Sequence, residues 1–160
     1  MMTLLRFLQF LLLGVWIGSI LYFGAIMAPA AFAILTTDQA GELVGLTLGR
    51  LHLMGMVAGI MFLIVTAIAE RSPAALVRPA PLLVLAMIAL TFVSQFWVTG
   101  TMDALRAQMI AQTGSVAATP ASNALRVSFD RLHTASVRIE GAVLLCGLAA
   151  LWLVSHKTAS

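Results

Sequence analysis

Between Arg50 and Glu70 the chain reads Leu-His-Leu-Met-Gly-Met-Val-Ala-Gly-Ile-Met-Phe-Leu-Ile-Val-Thr-Ala-Ile-Ala, 19 residues without an Asp, Glu, Lys or Arg. A helix that crosses the hydrocarbon core of a bilayer needs about 20 predominantly apolar residues, so this run reads as a membrane span. Three further runs have the same character. There are 31 uncharged residues between Arg6 and Asp38, 24 between Arg78 and Asp103, and 15 from Gly141 to Ser155, the last preceded by an apolar stretch from Leu132. The spans are expected near 4–31, 48–70, 79–101 and 132–155. The fold class that follows is all-α: an integral membrane four-helix bundle in a single domain over 1–160.

Composition excludes the other classes. Of 160 residues 61% are hydrophobic and 9% charged, against about 25% charged in a soluble domain. Too few charges are present to cover a soluble surface or to keep a chain disordered. The net charge of +3 is spread along the sequence, which gives no nucleic-acid footprint. The expected partner is the lipid bilayer, with a homo-oligomer or a membrane complex partner as further expectations. The single cysteine, Cys146, excludes an intrachain disulfide.

The first run is much longer than the roughly 7–15 apolar residues of a signal-peptide core, and it reads as a span. Four spans put both termini on one side. Arg6, Arg71, Arg78 and Lys157 fall on that side, and Arg50, Arg106, Arg126 and Arg131 on the other. Lys and Arg, which set orientation, are therefore balanced. Glu70 is alone on the terminus side, against Asp38, Glu42, Asp103 and Asp130 opposite. Cytoplasmic termini in a bacterial inner membrane are the expectation.

One long polar loop is expected, over about 102–131. Within it Met102, Leu105, Met109 and Ile110 recur at helical spacing, which suggests a short amphipathic helix in the interface plane. Thr113 to Asn123 reads as a flexible connector. Pro73, Pro79 and Pro81 mark a tight turn between the second and third spans.

A gapless shift of 81 residues lays Trp16 on Trp97 and Arg50-Leu51-His52 on Arg131-Leu132-His133. Trp and His occur three times each, so the coincidence suggests a repeat, with halves at about 4–70 and 85–151. Each half is a helical hairpin entering from the same side, which makes the repeat parallel. Such symmetry puts His52 and His133 at one depth, at one end of the bundle. Gly14 and Gly18, and again Gly55 and Gly59, have the spacing that lets helix backbones approach closely.

His52 and His133 are thus the leading site candidates, because ionisable groups inside spans mark function by default. Two neutral imidazoles suit a haem iron or a soft metal such as copper. Arg50 and Arg131 beside them suit a headgroup phosphate or a ligand carboxylate. Cys146 lies about 20 Å along the helix from His133 and His156 about 35 Å, which excludes a closed Cys/His zinc site. Glu140 lies about 10.5 Å beyond His133 and is expected to face the bundle interior as a proton-handling group or a structural hydrogen bonder. Arg138 is long enough to snorkel. Gln95 suits an interhelical hydrogen bond, and Trp16 lies deep enough for core packing. No recognised catalytic motif is present, and no catalytic residue is assigned.

Tyr22-Phe23-Gly24-Ala25-Ile26-Met27-Ala28-Pro29-Ala30-Ala31-Phe32, Gly49-Arg50-Leu51-His52 and Phe129-Asp130-Arg131-Leu132-His133-Thr134-Ala135-Ser136-Val137 resemble the transmembrane protein 205-like domain family, four-span proteins of unknown biochemical function. The resemblance covers nearly the whole chain. More distantly the chain is similar to the copper-resistance protein D and HemJ-type membrane proteins, a relation that implies haem b or copper at His52 and His133. Two expectations stand side by side: a non-enzymatic transport or partner-binding module with a paired-histidine site, and a haem- or copper-binding redox or metal-handling protein.

Overall fold

The computed structural model describes residues 2–156; Lys157, used above for orientation, lies outside them. Four helices are long and apolar enough to cross a membrane: α1 (Met2–Ile34), α2 (Thr37–Glu70), α3 (Pro79–Thr113) and α4 (Ala124–His156). The protein is an all-helical integral membrane bundle, as the uncharged runs require.

Local chemistry sets the helix ends. The Thr36 hydroxyl accepts from the Gln39 backbone N–H, and the Gln39 side chain answers the Thr36 N–H, a reciprocal cap that starts α2. Arg71, in the left-handed region at φ 50°, ends it. Ser72 caps a 3₁₀ turn over Pro73–Val77, and Pro79 opens α3 with its fixed φ. An ion pair between Arg78 and Glu70 at 2.6 Å closes this end.

Two spans contain a π-helical turn, Phe23–Met27 in α1 and Ser94–Thr99 in α3. The first precedes Pro29, which lacks an N–H and crowds the carbonyl four residues back. The second has no proline to account for it.

Helices of 33 to 35 residues run about 50 Å, well beyond a hydrocarbon core of about 30 Å. The expected long loop is therefore mostly helix. Met102–Thr113 continues α3 instead of forming a separate interfacial helix, Ala124–Arg131 opens α4, and residues 114–123 alone connect them. Charges mark where a helix leaves the apolar region, not where it stops. The connector is also tied down, contrary to the flexible expectation. The Val116 N–H donates to Asp38 Oδ1 at 3.0 Å, Arg126 donates to the Val116 carbonyl at 2.9 Å, and Arg106 donates to the Asp38 carbonyl.

The helices form a square: α1 packs on α2 and α4, and α3 packs on the same two. Leu13, Trp16, Phe62, Val84, Met87 and Val143 fill the centre, while Phe7, Leu11, Ile64, Leu85 and Leu145 stand exposed on the outside, as a lipid-facing surface requires. Gly55 and Gly59 let the Trp16 ring lie against α2; a Cβ at Gly55 would stand 2.2 Å from Trp16 Nε1. Gly14 and Gly18, with the same spacing, lie on the bundle's exposed surface with nothing within 4 Å of a built Cβ.

The 81-residue overlay pairs unlike environments. Trp16 is 1% exposed and Trp97 68%; His52 is buried and His133 exposed. Burial matches in a different register. Advancing α1 by 71 residues lays buried Leu13, Trp16 and Ile20 on buried Val84, Met87 and Thr91, and aligns the starts of the two π turns. Advancing α2 by 88 lays buried Gly55, Gly59, Phe62 and Thr66 on buried Val143, Gly147, Ala150 and Val154. The two shifts differ because the second hairpin has both a longer stretch of helix after its π turn and a longer connection, which no gapless overlay can accommodate.

Candidate functional site

His52 lies one turn before Gly55 on the inner face of α2 and is fully buried. Its Nε2 is 2.6 Å from Glu140 Oε1 and its Nδ1 is 2.7 Å from Gln95 Oε1. Three helices thus meet at one imidazole. The contact with Glu140 crosses the diagonal of the square, between α2 and α4. Gln95 comes from the π turn of α3, an element often found at functional sites, and its amide packs on Gly49.

The hydrogen-bond roles follow from the donor inventory. An amide oxygen only accepts, so with Gln95 Oε1 facing it, His52 Nδ1 carries hydrogen. A single proton then lies between Nε2 and the Glu140 carboxyl, giving imidazolium–carboxylate or imidazole–carboxylic acid. Both forms have zero net charge, which suits an apolar interior. One further proton, carried on the other carboxyl oxygen, makes the pair a cation, and loss of the shared proton makes it an anion. The geometry can therefore hold, accept or release one proton. The Glu140 side chain is 17% exposed, so the pair is not wholly sealed.

Two sequence expectations meet here: Glu140 faces inward and Gln95 bonds between helices. Their common partner is His52. The space over Gly59 is taken by Trp16 and Ile88. The structure does not bring His133 to His52. His133 lies seven residues before Glu140, about 10 Å of helix rise from the level of His52, and it is exposed. Val137 is exposed on the same flank, and the longer Glu140 side chain reaches inward past it. Arg50, Arg131 and Arg138 are exposed. Arg50 borders an open groove of about 500 Å³ with Gly14, Gly18, Tyr22 and Thr47.

Both nitrogens of His52 are engaged, so a metal or haem iron at this imidazole requires Gln95 or Glu140 to move away. Among the described residues no group of three or more His, Cys, Asp or Glu side chains converges as a metal-ligand set.

Three buried polar atoms near the pair were not singled out in the sequence: Trp16 Nε1, Thr91 Oγ1 and Ser94 Oγ, none with a hydrogen-bond partner among the described residues. Thr91 and Ser94 are spaced i, i+3 on the face of α3 that precedes Gln95. In an apolar run such hydroxyls ordinarily bond back to their own helix, and sequence gives no sign that these do not.

The model of one protein family, described as Domain of unknown function (DUF4149), matches residues 11–111. The match takes in most of α1, all of α2 and nearly all of α3, with His52, Gln95, Trp16, Thr91 and Ser94; Glu140 lies beyond it. No curated protein and no solved structure matches the chain. The family model accounts for well over half of the sequence, and the chain belongs to the DUF4149 family.

Proposed function

We propose that this membrane protein is a transport module whose working group is the His52–Glu140 pair, held by Gln95 and loaded and unloaded with one proton. The observation that carries this is the 2.6 Å bond across the bundle diagonal. Paired ionisable side chains inside spans are costly and characteristically serve ion or proton pathways. The reading moves the site from a histidine pair to a histidine–glutamate pair.

The test is proton flux. Protein reconstituted in liposomes around a pH-sensitive dye should dissipate an imposed pH gradient faster than empty vesicles. Glu140→Gln, which keeps size and hydrogen-bonding ability but cannot become a carboxylate, should abolish the difference. Folded wild-type protein with no flux above empty vesicles would refute the reading. The haem or copper reading is examined on the same preparation: an absorption band or metal content lost in His52→Ala would replace the proton role with a ligand role.

The two hairpins are copies of one ancestral hairpin, supported by the matched burial at shifts of 71 and 88. In that register His52 and Glu140 are themselves equivalent positions, meeting on the pseudo-two-fold axis. The relation to transmembrane protein 205-like proteins rests on the segments at 22–32, 49–52 and 129–137. Outward Gly14 and Gly18 offer a close-packing face to a second copy or a partner helix. Arg50 and Arg131 take headgroup phosphate, supported by their exposure. A bacterial inner membrane with cytoplasmic termini completes the reading, and reporter fusions to the C-terminus check it.

A further inference from the structure

Helix register places the three unpartnered polar atoms on one side of the His52 pair. Trp16 lies along α2 with its benzo edge at Gly59 and its Nε1 at Gly55, so the N–H end of the indole points toward His52. Ile88 packs on Gly59, and Gln95 is at His52. Thr91 and Ser94 lie between those two levels on α3. All three atoms therefore fall within about one or two helical turns of the imidazole, on the side toward the chain termini. Trp16, Thr91 and Ser94 are each no more than 1% exposed.

Buried polar groups are ordinarily hydrogen-bonded, and water is a partner that three orphans in one bundle interior can use. The indole N–H can only donate, whereas the two hydroxyls donate and accept. A water molecule accepts from the first and exchanges hydrogen bonds with the others, and a buried water needs 2–4 such partners. On α3 the side chains at this level, Thr91 and Ser94, are short. Toward the termini, Leu13, Phe62, Val84 and Met87 form a buried apolar layer. Beyond it lies a polar-mouthed recess of about 500 Å³ lined by Arg6, Gln9, Thr66, Glu70 and Arg78, where Gln9 donates to Thr66 at 2.8 Å.

We infer that Trp16, Thr91 and Ser94 form a binding site for a short chain of water molecules that hydrates the His52–Glu140 pair from the terminus side. The inference builds on the proton-handling reading of that pair, and the apolar layer is the barrier between this water and the terminal recess. Constrictions of this kind gate by dewetting.

The experiment is water-edited solid-state NMR on the full protein in lipid bilayers with ¹⁵N-labelled tryptophan. Trp97→Phe and Trp152→Phe assign the three indole signals. Magnetisation should pass from water to the buried Trp16 Nε1–H. The near-isosteric pair Thr91→Val with Ser94→Ala should remove that transfer while helical circular dichroism is unchanged. No transfer to Trp16 in folded wild type, or transfer that persists in the double variant, overturns the proposal. Absent proton flux with the water signal present defeats the transport reading alone. Flux with no water signal defeats the water site alone.

Discussion

The tripeptide Arg-Leu-His occurs at 50–52 in α2 and at 131–133 in α4, and the two copies have opposite fates. In α2 the histidine is at the centre of the bundle with both nitrogens bonded. In α4 it stands on the surface, and the position that meets the centre is Glu140. Identity of a short motif does not carry identity of environment, because helix register decides which side chain reaches the axis. That register depends on glycines and on a long connection well away from the motif.

The comparison breaks most visibly at the glycines that set the register. Gly55 has Trp16 Nε1 at 2.2 Å from a built Cβ, and the ring is enclosed, so it cannot swing aside. Gly55→Val should cost about 3 kcal/mol, the upper range for overpacking a close-packed interior, read as a fall in thermal midpoint in detergent. A variant as stable as wild type would show that α2 does not need this close approach.

Next come the histidines. His52→Ala removes a partner from both Gln95 and Glu140 and should lower stability by about 1–2 kcal/mol, within the range for buried groups left unsatisfied. His133→Ala, on the surface, should stay within about 0.5 kcal/mol. Equal effects at the two positions would restore the symmetric pair that the 81-residue overlay suggests.

A double-mutant cycle sharpens the same contrast. His52→Ala with Glu140→Ala should show a coupling of about 0.6 kcal/mol, and not much above 1.7 kcal/mol, the range found for hydrogen bonds between membrane helices. The cycle of His133→Ala with Glu140→Ala should show none. Coupling in the second cycle and none in the first would move the site along α4.

The parts of this arrangement legible in sequence share one cause. Uncharged runs located all four spans, because the bilayer imposes a single requirement on each of them. Gln95 and Glu140 stood out because polar groups are scarce in those runs. Their meeting at His52 was hidden, since α2 and α4 are joined through a second hairpin whose connection is longer than the first. Trp16 reads as core from its depth, but the direction of its N–H depends on Gly55 across the helix contact. Thr91 and Ser94 carry no sequence mark of their role, because the same hydroxyls bonded to their own helix would look identical.

The smallest expected effect has the opposite sign. Gly141 follows Glu140 on α4, next to the buried pair, yet a Cβ built there meets nothing within 4 Å. A glycine in the middle of a helix is disfavoured relative to alanine by roughly 0.5–1 kcal/mol. Gly141→Ala should therefore leave stability unchanged or raise it by about 0.5 kcal/mol, and it should leave proton flux intact. The same substitution at Gly55 drives a methyl group into an indole. If Gly141→Ala instead impairs flux while the midpoint holds or rises, α4 must bend or shift at Gly141 for Glu140 to exchange its proton. The asymmetry between the two helices would then be one of motion as well as of register.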